Sequence, residues 1–221
     1  MKRIFAIGDV HGCYKTFQYL LRNEIQLQKS DKIYCIGDYI DRGRDSKKVI
    51  DLILKLRKNG YKIHTLRGNH EQMMIDSTID NQKFKKWIRN GGTSTLESFG
   101  ISSFNDLKPI YKNFFLRTKY YIESSKYIFV HAGINFKKSN PLKNKTDLLW
   151  IRDFPIDKEK LGQKIIIHGH TPTKYHSYFI NLNVSSINID GGCVFKEHKD
   201  YGNLIALNLS ENKFIIVKNI D

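Results

Sequence analysis

The sequence is poor in cysteine, which accounts for three of its 221 residues. Cys13, Cys35 and Cys193 are odd in number and widely spaced, and none of them belongs to a Cys-x-x-Cys pair. These features exclude the disulfide framework of a small secreted domain and argue against a zinc knuckle. We interpret the three residues as buried free thiols of a protein in a reducing cytoplasm.

Long apolar stretches are also missing. No run approaches the ~20 apolar residues that a membrane-spanning helix requires, so no membrane association is expected. Residues 1–9 combine a basic start with a short apolar run that stops at Gly8 and Asp9. A secretory signal needs a longer apolar stretch and a cleavage site of small residues, so we predict that this run is a first β-strand.

Acidic residues are outnumbered by basic ones. Asp and Glu total 22 against 37 Lys and Arg, which gives a net charge of +15. Such a charge attracts polyanions, including nucleic acid, anionic lipid and acidic phosphorylated substrates. The chain has no arginine-rich arm, zinc finger or alternation of aromatic and basic residues, so specific nucleic-acid binding is not expected. Its densest basic run is Lys137–Lys145.

The first 70 residues alternate between strand and helix patterns. Strands are predicted at 3–8, 32–37 and 62–67, and amphipathic helices at 14–28 and 45–58. Strands that alternate with helices of this length indicate βαβ units and a parallel sheet.

Beyond about residue 118 the pattern changes to short strands. They follow a helical and irregular segment at 71–117, whose aromatic residues, Trp87 among them, are predicted to lie in the core. The predicted strands are 120–123, 126–131, 164–168, 175–180, 186–190, 203–208 and 213–218, with a helical turn near 147–153. We expect this half to form a second, mixed sheet packed on the first, within an α/β fold. Because no linker or repeat interrupts the chain, residues 1–221 are predicted to form a single domain.

Five short polar motifs stand out, and at least four of them directly follow a predicted strand. They are Gly8-Asp9-Val10-His11-Gly12, Gly37-Asp38-Tyr39-Ile40-Asp41-Arg42-Gly43, Gly68-Asn69-His70-Glu71, His131-Ala132-Gly133 and His168-Gly169-His170-Thr171. Ligands bind beyond the carboxyl ends of the strands in open α/β sheets, so these loops are expected to converge. Each motif alone has an ordinary structural explanation, but five in one order at strand ends do not.

The side chains of these motifs suit two divalent ions. Asp9 and His11 are two residues apart, so they point to the same side of an extended segment. Asp38 has two oxygens with which it could bridge two ions, and the neutral donors are Asn69, His131 and His170. Donors of this kind suit Mn, Fe and Zn. Two such ions ~3.5–4 Å apart can hold an attacking hydroxide and the phosphoryl oxygens together.

In this order, the five motifs resemble the phosphoprotein phosphatase branch of the calcineurin-like metallophosphoesterases. The stretch Arg67–Asp76 is very similar to small phage and bacterial members, and Asn90–Gly100 and Leu148–Asp153 are similar to stretches of bacterial members. The resemblance covers residues 3–207 and is specific in the motifs. It implies a calcineurin-like fold, in which two mixed β-sheets pack as a sandwich flanked by α-helices.

The resemblance also implies a role for each motif residue. The first metal ion would be held by Asp9, His11 and Asp38, and the second by Asp38, Asn69, His131 and His170. The phosphate would be bound by Arg42, Asn69 and Arg152. His70 would protonate the leaving alkoxide, and Asp41 would orient His70. Phosphoryl transfer depends on positioning and charge neutralisation, which two cations and two guanidinium groups provide.

One departure separates the chain from the related nuclease branch, which ends in a Gly-His-x-His pattern. Here Gly169-His170-Thr171 is followed by Pro172, whereas Asp41-Arg42-Gly43 is a phosphatase feature. His168 falls outside the ligand pattern, and we interpret it as structural.

The sequence therefore predicts a hydrolase of phosphate monoesters that depends on two divalent ions, Mn²⁺ with Fe or Zn as alternatives. The first hypothesis is a cytoplasmic serine/threonine protein phosphatase that uses a hydroxide bridging the two ions and acts on phosphorylated proteins or peptides. The alternative is a diadenosine tetraphosphate hydrolase of the same family, whose substrate is a dinucleoside polyphosphate. A third hypothesis is an idle metal-binding module that binds nucleic acid. His70 and Arg42 argue against it, because a structural metal site needs neither.

Overall fold

The strands of the protein form two sheets in a computed structural model that describes residues 2–174 and 184–221. The five strands of the first sheet are, in spatial order, Lys62–Thr65 (β3), Lys32–Cys35 (β2), Ile4–Ile7 (β1), Asn203–Asn208 (β8) and Lys213–Lys218 (β9). The four strands of the second are Tyr121–Glu123 (β4), Tyr127–Val130 (β5), Ile165–His168 (β6) and Ser186–Asn188 (β7). The strand predicted at 175–180 lies outside the described residues.

Both sheets are mixed. Strands β1, β2 and β3 are parallel, as the alternation of strands and helices predicts, and β8 and β9 add antiparallel neighbours. In the second sheet β5, β6 and β7 are parallel and β4 is antiparallel. The predicted α/β fold with two mixed sheets and flanking helices is confirmed.

One prediction about the sheets is wrong. The strands at 203–208 and 213–218 were expected in the second sheet, but β8 pairs with β1 and so joins the first. The amide of Gly8 also donates to the carbonyl of Ile205 at 2.9 Å. Both faces of β8 are apolar, and a strand that is apolar on both sides fits the interior of either sheet.

The helices connect the strands and cover the outer faces of the two sheets. The α-helices are Tyr14–Tyr19 (α1), Ser46–Lys58 (α2), Asn69–Asp76 (α3), Asn81–Trp87 (α4), Thr93–Phe99 (α5), Pro109–Leu116 (α6), Lys145–Trp150 (α7) and Lys158–Leu161 (α8). The helix predicted at 14–28 is α1 followed by a π-helical turn at Leu20–Glu24, so it ends earlier than expected. A second π-helical turn, Ile88–Gly92, joins α4 to α5.

Side chains that alternate along the strands divide the core into three layers. On β1, Phe5 and Ile7 pack against the helices, whereas Ala6 faces the second sheet. On β5, Phe129 faces the first sheet, and Ile128 packs on the opposite side against α7 and α8. Burial of each such large apolar side chain stabilises the fold by about 1.5–3 kcal/mol. The layers hold the carboxyl ends of β1, β2, β3, β5 and β6 in fixed positions.

Two further predictions from composition can be compared with the structure. Trp87 is fully buried in the layer between the first sheet and the helices. Cys13, Cys35 and Cys193 are buried free thiols, as predicted. Within residues 2–174 and 184–221, no helix is both long and apolar enough to cross a bilayer.

Candidate metal centre and active site

The five motif loops meet where their strands end. The amides of Val10 and His11, after β1, donate to the carbonyl of Asp38, after β2, at 3.0 and 2.8 Å. The amide of His70 donates to Asp38 Oδ1 at 3.1 Å, which joins the start of α3 to the same point. The amide of Gly169 donates to the carbonyl of His131 at 2.8 Å, which joins the loops after β5 and β6.

The backbone of these loops is unusual. Seven non-glycine residues in the described part of the chain have a positive φ, and five of them belong to the motifs. Those five are His11, Asp38, Asp41, Arg42 and His170, with φ between 44° and 71°. Left-handed backbone at residues with a Cβ costs free energy and tends to cluster at functional sites.

Asp38 is held in place by Glu71, a fully buried residue on α3. One carboxylate oxygen of Glu71 accepts the amides of Asp38 and Gly68 at 2.9 and 2.8 Å, and the other accepts the amide of Tyr39 at 2.8 Å. A Cβ at Gly68 would lie 2.0 Å from Asp38 Oδ1, so glycine is required for this approach. Glu71 thus fixes the backbone that carries the central carboxylate.

His11 presents a lone pair to the site. Its Nδ1 atom lies 2.8 Å from the carbonyl of Ile40, to which it donates, and burial lowers the pKa of the imidazole well below its usual range. The neutral Nε2 atom therefore faces Asp38 Oδ2 at 3.4 Å. Arg42 Nη1 donates to the same Nε2 atom at 2.9 Å, so a positive group already lies against this lone pair.

Asn69, His131 and His170 form a second group of donors. His131 donates from Nδ1 to the carbonyl of Ile36 at 3.0 Å, and burial lowers its pKa, so its Nε2 atom is an acceptor. That atom lies 2.9 Å from Asn69 Oδ1 and 3.5 Å from Asp38 Oδ1. Three acceptors so close together are favourable when a cation lies among them. Asn69 Oδ1 is also 2.9 Å from His170 Nδ1.

Two buried atoms at this centre lack hydrogen-bond partners. Asp9 Oδ1 and His170 Nε2 are the buried side-chain atoms of the described residues for which no partner is found. Leaving such an atom unsatisfied costs about 1–3 kcal/mol. Burial, and then the charges of Asp190 and Asp38, raise the pKa of Asp9 well above its usual range. Crowded carboxylates, imidazole lone pairs and two orphaned atoms form a donor set that fits divalent cations.

His70 and Asp41 form a buried pair beside these donors. His70 Nδ1 lies 2.7 Å from Asp41 Oδ2, and His70 Nε2 lies 4.0 Å from Asp38 Oδ2. Burial alone would lower the pKa of His70, but Asp38 and the hydrogen bond to Asp41 raise it above its usual value. Asp41 also accepts hydrogen bonds from Trp87 Nε1 at 2.9 Å and Thr95 Oγ1 at 2.6 Å. The imidazole is thereby held with Nε2 directed toward the donors and with its charged form favoured.

Residues 2–201 match the family described as calcineurin-like phosphoesterase. The chain belongs to this family. The family match confirms the calcineurin-like fold and the family that the five motifs indicated. The chain is therefore a metallophosphoesterase, a hydrolase of a family that uses divalent metals. Membership of a hydrolase family favours an enzyme over the hypothesis of an idle module.

Relatives of this calcineurin-like chain carry two kinds of name. Serine/threonine-protein phosphatase 1 of Salmonella typhimurium is 28% identical over 201 residues, which cover 88% of this chain and 88% of that protein. The asymmetrical bis(5'-nucleosyl)-tetraphosphatase PrpE of Oceanobacillus iheyensis is 28% identical over 242 residues, which cover 97% of this chain and 92% of that protein.

A solved structure supports the fold independently. A protein serine/threonine phosphatase from Saccharomyces cerevisiae aligns with 100% of this chain and 81% of its own, at a TM-score of 0.67 and 15% identity. At this identity the likeness concerns the fold alone.

The structure brings together nearly all of the predicted site residues of the calcineurin-like centre. Two groups have donor atoms within 4.8 Å of one another: His11, Asp38 and His70, and Asp38, His131 and His170. Asp38 belongs to both groups, as a bridging ligand would. Asp9 is outside the first group, although its Oδ2 accepts the amide of His170 at 3.2 Å.

The predicted arginines lie at the rim. Arg42 and Arg152 are exposed, and Arg42 contacts His11. The charge of Arg152 contributes to lowering the pKa of His170, after burial and His131, so this arginine is also near the centre. His168, interpreted as structural, is half-buried, and its ring packs edge-on against Phe154.

Several supporting residues were missed by sequence reasoning. Glu71 and Arg67 lie within Arg67–Asp76 and Thr95 lies within Asn90–Gly100, so the family-like stretches contain them although the sequence does not indicate their roles. Arg67 is buried and donates to five oxygens, including the carbonyls of Phe115 and Leu116. Trp87 was predicted as core only. Asp190, which is buried and follows β7, had no signal beyond the two glycines after it.

Proposed function

We propose that this metallophosphoesterase is a serine/threonine protein phosphatase, formed by one catalytic domain over residues 1–221. The observation that supports the choice is the buried pair of His70 and Asp41. An alkoxide is a poor leaving group and needs a proton, which a positioned acid supplies with a gain of about 10²–10⁴-fold. A phosphate leaving group from an anhydride needs that proton much less.

The donor set would hold two divalent ions, which we propose are Mn²⁺. Asp9, His11 and Asp38 would hold one ion, and the second would be held by Asp38, Asn69, His131 and His170. When bound, the ions supply positive charge against the phosphoryl oxygens and acidify the attacking water. His70 is an alternative ligand for the first ion, because it belongs to the same group of close donor residues as His11 and Asp38.

The chain's own residues then bind and protonate the substrate. Arg42 and Arg152, exposed at the rim, bind the phosphoryl oxygens through paired N–H groups, and Asn69 adds an amide. His70 gives the proton on Nε2 to the leaving oxygen of serine or threonine. Asp41 keeps His70 Nδ1 protonated and stabilises the charged imidazole. Trp87 and Thr95 hold the Asp41 carboxylate in one orientation through their hydrogen bonds to it.

Surrounding residues favour a peptide over a dinucleotide. The loop Lys137–Lys145 carries four lysines that are all exposed, and their field attracts an acidic peptide. A dinucleoside polyphosphate is also an anion and would be attracted as well, so the preference depends on whether a base finds a ring on which to stack. A base needs an aromatic ring on which to stack, and the three tyrosines of residues 72–125 are Tyr111, Tyr120 and Tyr121. Arg67 and Lys145 lie 4.9 and 5.0 Å from the ring centroid of Tyr120, and Lys47 lies 5.4 Å from that of Tyr111. Tyr121 packs against the core layer beside β5 and β6. These contacts occupy ring surface that a base would otherwise use.

A second candidate, hydrolysis of diadenosine tetraphosphate, is favoured by two other rings. Trp150 lies edge-on to His170 with ring centroids 6.0 Å apart, and Phe195, which is 39% exposed, lies 5.5 Å from the Arg42 guanidinium. Aromatic rings beside a phosphate site can stack on bases. A relative named as a bis(5'-nucleosyl)-tetraphosphatase is consistent with this alternative.

The test compares kcat/KM on a phosphothreonine peptide and on diadenosine tetraphosphate, with Mn²⁺ in both assays. We expect the peptide to be hydrolysed at least as efficiently as the dinucleotide, and its hydrolysis to weaken as salt screens the basic surface. His70→Asn serves as a control for contaminating activity, since it should reduce peptide turnover. A preference of more than about 10²-fold for the dinucleotide, roughly 2.7 kcal/mol, would replace the proposal with the second candidate.

A further inference from the structure

A basic cavity lies beside the metal centre and shares Arg42 with it. Its volume is about 440 Å³, and five cationic and two carboxylate side chains line it. The cationic residues are Lys15, Arg42, Arg44, Lys48 and Lys196, and the carboxylates are Asp45 and Asp221. We refer to this set as the Arg44 cavity. Among residues 2–174 and 184–221, no aromatic side chain lines the cavity itself, and the nearby Phe195 lies 5.5 Å from the Arg42 guanidinium.

Both carboxylates of the Arg44 cavity are already engaged. Asp221 accepts the amides of Lys15 and Thr16 at 2.9 and 3.0 Å and the Thr16 hydroxyl at 2.7 Å. Asp45 pairs with Lys48 at 2.8 Å. Arg44 is exposed and makes no side-chain hydrogen bond or ion pair with any residue that the structure describes. Its five N–H donors are therefore available to a ligand.

The backbone fixes Arg44 relative to the metal centre. The amide of Gly43 donates to the carbonyl of His11 at 3.1 Å, and the amide of Asp45 donates to the carbonyl of Gly12 at 3.1 Å. A Cβ at Gly43 would lie 2.1 Å from the His11 oxygen, so the two segments are in direct contact. The backbone of Arg44 is therefore anchored beside the loop that carries His11, and its side chain starts two residues from Arg42, the proposed phosphate ligand.

We infer that the Arg44 cavity binds a second anionic group of the substrate, the carboxylate or phosphate on a residue that flanks the phosphorylated serine or threonine. The inference rests on the proposed protein phosphatase function. A guanidinium group matches the geometry of both anions by donating two parallel hydrogen bonds. Because the carboxylates of the cavity are engaged, the anion does not have to displace an existing partner of Arg44.

The experiment measures a ratio within each protein. Two phosphothreonine peptides are compared, one with Asp and Glu at the flanking positions and one with Asn and Gln. The ratio of kcat/KM for the acidic peptide over the neutral one is determined for the wild type, Arg44→Gln and Arg22→Gln. Arg22 is an exposed arginine outside the cavity, so its variant makes the same change in net charge.

We expect a ratio of about tenfold for the wild type and for Arg22→Gln, and a ratio of about two to three for Arg44→Gln, in which the long-range attraction of Lys137–Lys145 remains. Equal ratios in all three proteins, or an equal fall in both variants, would overturn the inference, because the overall charge would then explain any preference. Hydrolysis of both peptides without preference would overturn the inference alone. Failure to hydrolyse either peptide, with rapid cleavage of diadenosine tetraphosphate, would overturn the proposed function as well.

Discussion

The indole Nε1 atom of Trp87 donates a 2.9 Å hydrogen bond to Oδ2 of Asp41, the same oxygen that lies 2.7 Å from His70 Nδ1. Trp87 is fully buried, and its ring packs so closely on Gly92 that a Cβ there would lie 2.6 Å from it. A core side chain thus determines how the proposed acid is oriented.

Trp87→Phe keeps an aromatic ring in the core and removes this donor. We expect a loss of about 1–3 kcal/mol in the free energy of unfolding, from the lost hydrogen bond and the smaller ring. We also expect kcat to fall about tenfold with little change in KM, because an orienting partner is lost while Arg42 and Arg152 are intact. Urea unfolding and steady-state kinetics check the two effects. An unchanged kcat in the destabilised variant would show that the indole is structural only.

His70→Asn tests the proton transfer. The change should reduce kcat by about 10²–10⁴-fold on alkyl phosphates. On p-nitrophenyl phosphate the loss should be much smaller, because that leaving group needs little protonation. Equal losses on both substrates would contradict the role of acid and would favour His70 as a metal ligand, which its position near His11 and Asp38 also permits.

Asp38→Asn tests the shared carboxylate. Asparagine tolerates the left-handed backbone at this position, where φ is 50°, so the fold should persist. Metal-stripped wild-type protein should gain thermal stability on addition of Mn²⁺, by about 2.7 kcal/mol at a hundredfold excess over Kd. The variant should show little of that gain and should retain less metal by elemental analysis. Two ions per chain in Asp38→Asn would rule out bridging.

Gly169→Ala tests the position of Asp9. A Cβ at residue 169 would lie 2.4 Å from Asp9 Oδ1 and 2.5 Å from a methyl carbon of Ile36, so Asp9 would have to move. We expect lower metal content and lower kcat. Gly100→Ala is the matched control, because a Cβ there meets nothing within 4 Å. That control should lose about 1 kcal/mol of stability from its left-handed φ of 64° and keep its metal.

His64, which lies on β3 and belongs to none of the five motifs, is expected to make stability depend on pH. Burial, followed by the charges of Lys119, Lys32 and Arg57, lowers the pKa of His64 below its ordinary value of 6.5. The folded state therefore binds the proton on His64 less readily than the unfolded state does. The free energy of unfolding is at its full value above pH 6.5, the ordinary pKa, and decreases as the pH falls below it. The free energy of unfolding is measured between about pH 7.5 and about pH 5, and its slope against pH should be steeper for the wild type than for His64→Gln. Parallel slopes would contradict the assignment.

Local patterns predicted the parallel strands and the positions of the motif residues well. Strands β1, β2 and β3 lie within two residues of the predicted ends, because apolar runs bounded by Gly and polar residues mark them. The convergence of Asp38, Asn69 and His131 followed from the rule that strand ends meet at one edge.

Pairings and contacts between residues that are far apart in the sequence could not be predicted in this way. The apolar faces of β8 fit either sheet, and only its pairing with β1 settles the placement. The contact of Trp87 with Asp41 joins residues 46 positions apart, and no local pattern marks such a pair. The π-helical turn after α1 likewise leaves no signature in the spacing of Leu20 and Leu21.

The left-handed residues of the motif loops imply a conflict between folding and activity. Glycine would relieve the strain at Arg42 or His170, where a Cβ costs of order 1 kcal/mol, yet it would remove a proposed phosphate ligand or a proposed metal ligand. Selection for thermostability alone would therefore favour glycine at the positions that are proposed to carry the activity. A directed-evolution experiment with no requirement for activity should accumulate such replacements, so the protein lies below the highest stability that its own fold allows.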